Sequence, residues 1–542
     1  MSSSRTCGCC VCPTHAARSS GGGEGTRWAG PAWDYLESVV AWLDGPEAMG
    51  AGHGELEARL QVDAREQYRL LLQGHLDERA GRERRRTGVT GSDGVPRRRV
   101  ENGHRRSLMT VFGPVRVTRK AYRATLVRPV EHAETGSQTG SQTGWARKAV
   151  SNLYPADAVL NLPVGKHSAG LARLVAVEVA RGSFGDAQAA LERASGVRVG
   201  KRQVEDLARA AAVDTDAFYT ARRRPPCPDR VLGLQADGKG IVMRPGSLRP
   251  ATAAQAAKTS PRLATRLSPG EKHGRKRMAE IVAVYDLQPA PRTAGDIIPA
   301  PATRRRRRPR SRTGPKVTSK WLAASVTDDI PAVIAAMFDE ADRRDPSHER
   351  TWVALVDGNR QQIDTIRDQA QARGVTVTIV IDFVHVLEYL WKAAWTFFYP
   401  GDPDAQTWIA DHARTVLTGR AVDAAATIRH QADTAGFRGS ERTGADEAVA
   451  YLTRKAPYLD YATALANGWQ IATGIIEGAA RFLIKDRMDI TGARWTTPGA
   501  EAVLRLRAVI ANGDFDEYWR WHQQQQLRRN HLDHYQKLDL AA

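Results

Sequence analysis

Cysteine is scarce in this chain, and what there is sits badly for a disulfide framework. Of 542 residues only five are Cys: Cys7, Cys9, Cys10 and Cys12 crowd near the start, and Cys227 stands alone. Thiols so bunched cannot staple a fold. With His15 nearby they could ligate zinc, but a structural site takes a second ligand pair a dozen or more residues away, and there is none. Residues 1–30 therefore read as a disordered leader from an over-extended start. Long apolar runs are missing as well. No stretch approaches the length of about 20 residues that spans a bilayer. The opening MSSSRTCGCCVCPTHAARSS lacks the apolar segment of a signal peptide. No basic amphipathic helix is clear enough to mark a membrane surface. These absences predict a cytoplasmic protein with no membrane partner. Acid is the minority charge: 60 Asp and Glu against 79 Lys and Arg leave a net +19. Such a surplus points to a polyanion, DNA or RNA first, although a solvated basic tail gives the same number.

What is present changes rhythm along the chain. Trp33, Leu36, Val39, Val40 and Leu43, then Leu56, Leu60, Tyr68, Leu71 and Leu72, recur at helical spacing. Residues 107–112 and 115–119, around Gly113-Pro114, read as a β-hairpin. Arg105, Arg106, Arg116, Arg119 and Lys120 on it suit either a phosphate-facing ribbon or an ordinary solvated face. A Thr-Gly-Ser-Gln repeat at 135–144 marks a linker. Helices are predicted over His167–Ala180, over Asp186–Ala194 behind an N-cap Asp186, and over Lys201–Val213. The last carries Lys201, Arg202, Gln203 and Arg209, so the trio resembles a helix-turn-helix, with a plain helical bundle as the alternative.

From 230 to 400 the pattern is three strands (231–237, 279–285, 319–326), a helix (330–343), a strand (351–357), a helix (359–373), a strand (375–381) and an aromatic helix (384–398). That order is α/β with a mixed sheet. Two basic segments interrupt it, 244–277 and 287–316, the second holding Arg304, Arg305, Arg306, Arg307 and Arg308 in a Pro-rich run that would order on a phosphate backbone. The predicted divisions are 31–134 (helices and hairpin), 135–150 (linker), 151–228 (helix-turn-helix-like) and 229–400 (core). Then come 401–470 (helical insertion), 471–520 (last core helix) and 521–542 (tail).

Three acids carry the chemistry. Asp237 and Asp357 each close a short apolar run and precede a glycine, Gly238 and Gly358, as strands ending in tight turns do. Carboxylates at such strand ends sit at the rim where open α/β sheets bind ligands. Glu477 opens a helix-like segment, with Arg481 and Lys485 placed at i+4 and i+8 as one polar stripe. Converged, the three acids would hold two Mg²⁺ ions for phosphodiester chemistry, so no Ser or Cys nucleophile is needed. Asp382 and His385 form an accessory pair, whose bland reading is an N-cap beside a half-buried His.

These blocks carry a resemblance. Asp237-Gly238, Asp357-Gly358-Asn359-Arg360, Asp382-x-x-His385, Gly474-x-x-Glu477-Gly478 and the 487–495 run through Arg494-Trp495 resemble the DDE motifs of bacterial insertion-sequence transposases of the ISKra type, related to mutator-like transposases. The resemblance covers about residues 100–520. It implies an RNase H-like mixed-sheet core with a helical insertion, preceded by a mainly α DNA-binding region with a hairpin. It further implies Asp237, Asp357 and Glu477 as a catalytic, metal-binding triad, with two Mg²⁺ ions for which Mn²⁺ can substitute. The partners implied are terminal inverted repeats, target DNA and further copies of the chain, on the nucleoid of a bacterial cytoplasm. Competing readings are an inactive or co-opted DNA-binding copy, and a hydrolase using paired acids such as a glycosidase, which the +19 charge fits poorly.

Overall fold

The computed structural model describes residues 24–124, 150–223, 227, 230–258, 276–299, 313–490 and 492–539. The Cys7–Cys12 cluster, most of the predicted linker and the Arg304–Arg308 run lie outside the described residues. Two compact units result: Met1–Leu171 with Glu192–Val197 and Gln526–Ala542, and Ala172–Leu191 with Arg198–Gln525.

The first unit rests on the 30-residue helix His53–Arg82 against a long antiparallel hairpin, β1 (Arg99–Thr110) and β2 (Gly113–Arg123). Leu76 of the helix meets Leu108, Val115 and Val117 of the hairpin in a small apolar core. Val111-Phe112 make the turn, two residues before the expected Gly113-Pro114, because Gly113 already pairs with Thr110. Two of the hairpin's arginines are not free for phosphate. Arg119 is buried against Asp157 at 2.7 Å and over the Tyr154 ring, and Arg106 donates to the Pro163 carbonyl at 2.8 Å. Arg105 and Arg116 remain exposed.

The second unit is mixed α/β. Its sheet holds β3 (Val231–Val242), β4 (Lys276–Gln288), β5 (Lys316–Ser325), β6 (Trp352–Val356) and β7 (Val377–Ile381) in the order β5-β4-β3-β6-β7. Antiparallel β3, β4 and β5 form a meander, and β6 and β7 add in parallel beside β3 through helices Ile330–Arg344 and Arg360–Arg373. The alternation of a strand puts Gly233, Gln235 and Asp237 on one face of β3 and Leu232, Leu234 and Ala236 on the other. Phe338 of helix Ile330–Arg344 covers the second face, where its ring sits 5.9 Å from Trp352, the residue that pairs with Leu232. The first face receives the short helix Gly474–Ala480. Helices Pro403–Leu417, Ala421–Thr434 and Thr443–Lys455 form the expected insertion between β7 and that helix.

Three expectations need correction. β3 does not end at Asp237. It runs on to Val242 because β4 pairs with it throughout, as far as Val242 with Lys276. Only the pairing with β6 stops early, at Gln235 with Leu355, so Asp237 is at the rim of the parallel half and inside a projecting ribbon. The helix predicted from Asp186 begins at Phe184. Asp186 takes the Ser183 N–H at 2.9 Å and Ser183 Oγ takes the Asp186 N–H at 3.1 Å, a reciprocal box that places Asp186 inside the first turn. Finally, the stripe Glu477–Arg481–Lys485 is exposed throughout but does not lie on one regular α-helix. Residues Arg481–Lys485 form a π-helical turn, whose extra residue rotates the chain beyond it.

Buried Arg507 accounts for that turn. It donates to the carbonyls of Phe482, Leu483 and Ala180, so backbone groups that a wide turn leaves without donors are satisfied. Among the described residues no helix is long and apolar enough to cross a membrane.

Gly233 is the tightest point of the sheet. A Cβ there would lie 2.1 Å from the Tyr285 ring. Gly233→Ala should cost about 1–3 kcal/mol through overpacking, read as a lowered urea midpoint with an unchanged slope.

Candidate active site

The site begins with a buried amide. Gln235 is the one polar residue in Val231–Ala236 and is fully buried. Its Nε2 donates to the Tyr285 hydroxyl at 2.9 Å, and its Oε1 accepts the Ile476 N–H at 2.9 Å. Tyr285 in turn donates to Gln470 Oε1 at 2.7 Å. An amide so enclosed must fill its bonds, and in doing so it fixes the first turn of helix Gly474–Ala480 to the strand bearing Asp237.

Asp237 and Asp357 lie two residues past the last β3–β6 pair, one on each neighbouring strand. Each is half-buried. Burial raises the Asp237 carboxyl above the usual carboxylate range and the Asp357 charge raises it further, while the Gly238 N–H, Lys239 and His385 act against the rise. Asp357 accepts the Asn359 N–H at 2.8 Å across the turn that Gly358 makes at φ +94°. On the next strand end, Asp382 is buried. It caps helix Phe383–Phe397 through the Val384 N–H at 2.8 Å and receives both the N–H and the hydroxyl of Thr473. Thr473 is the residue just before helix Gly474–Ala480, and its carbonyl takes the Glu477 N–H at 3.0 Å. Asp382 is thus a positioning residue that ties two strand ends to the Glu477 helix. His385, half-exposed in the first turn of its helix, contacts Glu388 at 3.0 Å.

The pieces are gathered unevenly. Asp237, Asp357 and His385 share one electrostatic neighbourhood, whereas Glu477 is exposed. Among the described residues no three His, Cys, Asp or Glu side chains stand close enough together to hold one metal ion. The donor set nonetheless fits Mg²⁺, which is usually held by one or two carboxylates with waters and substrate phosphates rather than by a closed protein cage. Two hard carboxylates on adjacent strands, close enough for the charge of Asp357 to act on Asp237, are such a set.

Three contributors were not evident from the sequence. Glu280 pairs across β4 with Gly238, over which its carboxylate lies: a Cβ at that glycine would come within 3.1 Å of Glu280 Oε2. Burial, then Asp237 and with less weight Asp357, push its carboxyl up to about 6 against the pull of Arg249. An acid heading the apolar run of β4 was the available signal. Tyr451 and Lys455 come from the helical insertion and had none. Lys455 donates to the Gly358 carbonyl at 2.7 Å. Tyr451, stacked on Tyr389 at 3.9 Å, sets its hydroxyl 3.6 Å from where a Gly358 Cβ would be. Burial raises the Tyr451 hydroxyl and lowers the Lys455 ammonium.

The basic candidates divide similarly. Lys201, Arg202 and Arg209 are exposed on helix Lys201–Ala212, whose opposite face (Val204, Ala208, Ala211) is buried. Arg481, Lys485 and Arg494 are exposed as well, with Arg481 3.7 Å from Asp486.

No family model matches the chain, and no curated protein matches it. Among solved structures, the Drosophila P element transposase strand transfer complex is similar at 8% identity, over 68% of this chain and 81% of that chain, with a TM-score of 0.22. A score that low gives no superposition from which to argue.

Glu280 yields a stability test. Its folded carboxyl stays protonated to about pH 6, above its ordinary value of 4.5, so stability falls as pH rises through that window. Glu280→Gln should leave stability unchanged below pH 4.5 and raise it by about 2 kcal/mol above pH 7, in denaturant titrations without divalent cation.

Proposed function

We propose that the chain is a DNA transposase of the DDE kind, cutting the ends of an insertion element and joining them to target DNA on an RNase H-like core. The observation that carries this reading is the pair Asp237 and Asp357, each two residues past the last β3–β6 pair of a β5-β4-β3-β6-β7 mixed sheet. The Glu477 helix is pinned to the same face by Gln235. The resemblance to ISKra-type transposases rests on the same residues.

In this reading Asp237 and Asp357 would hold the metal through hard oxygens, and Glu477 would complete the set with phosphate oxygens of bound DNA. Two bound Mg²⁺ ions, or Mn²⁺ in their place, would supply an activated water or 3′-hydroxyl and stabilise the leaving oxygen. The chain's own residues do the placing. Lys455 fixes the Gly358 carbonyl and hence the turn after Asp357. Asp382 holds Thr473 and so the start of the Glu477 helix. His385, whose charge acts on Asp237, would meet a phosphate oxygen in this reading. Exposed Lys201, Arg202, Arg209, Arg481, Lys485 and Arg494, and the Arg304–Arg308 run, would track the DNA backbone, with oligomers on paired inverted repeats. A second reading, a DNA-binding copy that no longer cuts, is favoured by one observation: the three acids are not gathered round a single point.

Strand cleavage separates the two. On a duplex carrying the element's terminal repeat, nicking should require Mg²⁺ or Mn²⁺ and stop with EDTA. Asp237→Asn, Asp357→Asn and Glu477→Gln should each lower it by more than about 100-fold, since even outer partners of a metal are worth about 10–100-fold. Tight binding with no cutting by the wild type selects the second reading.

A further inference from the structure

Two arginines carry charge into the interior of the second unit. Arg487 and Arg507 are 3% and 4% exposed. Their hydrogen bonds go to carbonyls, not carboxylates: Arg507 to three of them, and Arg487 Nε to Val179 O at 3.1 Å. Arg507 is thereby spent. Arg487 is not, because its Nη2 has no hydrogen-bond partner. A buried cation with an idle donor is costly, and such a group is normally matched by an anion. Burial, and for Arg487 also the neighbouring Arg507, brings both guanidinium groups down to about 10, which leaves them charged at neutral pH.

Arg487 forms one wall of a cavity of about 310 Å³. Its guanidinium lies 4.8 Å from the Trp495 ring centroid and 5.6 Å from that of Phe184. Arg244 and Arg494, both exposed, line the same cavity. They are held in place by main-chain bonds: Arg244 N–H to Trp495 O at 2.8 Å, and Trp495 N–H to Val242 O at 3.2 Å. The single carboxylate in the wall, Glu205, is engaged by the Thr496 hydroxyl at 3.1 Å. Three arginines therefore line the cavity against one occupied acid in its wall, with the charge of Asp186 acting on Arg487 from outside the lining.

We propose that this cavity binds one phosphate group, with Arg244 and Arg494 making the contacts and Arg487 supplying fixed charge behind them. Resting on the reading of the chain as a DNA-processing enzyme, the phosphate belongs to the strand that passes the acidic pair. The chain itself gives the spacing. Seven steps lead from Asp237 to Arg244, five along β3 and two beyond its end at Val242, roughly 23 Å at most at about 3.3 Å each, or about seven base-pair steps of duplex. The cavity is thus a distal clamp that would set how far from the cut the DNA is held.

The test uses the full chain and the double variant Arg244→Ser/Arg494→Ser. The control is Arg429→Ser/Arg438→Ser, two exposed arginines of the helical insertion with the same loss of charge. Binding of a fluorescent duplex of about 30 base pairs is measured against salt concentration. Removing one phosphate contact should reduce the log–log slope by about 1 in the double variant and leave the control at the wild-type slope. In parallel, inorganic phosphate replaces chloride at matched ionic strength. A rise in Tm for the wild type that is absent in the double variant, with the DNA slope unchanged, assigns the same cavity to free phosphate instead of a nucleic-acid strand. DNA binding with equal slopes in all three proteins and no phosphate-dependent Tm rise overturns the cavity as a phosphate site. A wild type that binds no DNA at any salt overturns the functional reading beneath it, and the Tm arm still judges the cavity.

Discussion

The Gln235 amide joins three parts of the molecule that sequence keeps far apart: β3, which carries Asp237; β4, through Tyr285; and the start of the Glu477 helix, through the Ile476 N–H. Without the amide's oxygen, that N–H would be buried and unpaired, a cost of about 1–3 kcal/mol. The Tyr285 ring depends in turn on a glycine, because it lies where a Cβ on Gly233 would be, 2.1 Å away. The face of the sheet that bears the acids is therefore specified by one amide, one phenol and one missing side chain. The reverse face is filled by Leu232, Leu234 and Phe338, which pack without direction.

Much of this frame was legible in the chain itself. The apolar run closed by Asp357 pointed to β6 and the helices on either side of it almost residue for residue, because burial on both faces makes a parallel strand read as a continuous apolar stretch, whereas the edge strand β7, with Thr378 exposed, begins two residues later than its Val/Thr alternation predicts. Asp382 was legible as a helix cap for the same local reason. What could not be read were properties that depend on a partner strand or helix. Nothing in Asp237-Gly238 shows that β4 will carry the strand five residues further. Nothing in Arg106 or Arg119 shows that Asp157 and a loop carbonyl will claim them. Lys455 reaches the turn after Asp357 across 97 residues, a distance over which no periodicity speaks.

The candidate site was legible to a different degree. Asp237 and Asp357 were evident as candidates, and the structure has them on adjacent strands, with Asp237 inside β3 instead of at its end. The groups around them were not: the carboxylate of Glu280 over Gly238, and the stacked pair Tyr389–Tyr451 beside Gly358. The insertion is thus more than a spacer, since two of its side chains form the wall against which the second acid's turn is built.

The π-helical turn at Arg481–Lys485 has a consequence for how this chain can vary. Each residue of a regular helix advances the direction of the next by about 100°. The wide turn therefore sets the angular phase in which Arg487 points inward while Glu477 points out. Substitutions within 481–485 change one side chain; a deletion or insertion there would swing every later residue to a new bearing and carry a buried guanidinium to the surface. Length at this turn is held more tightly than identity.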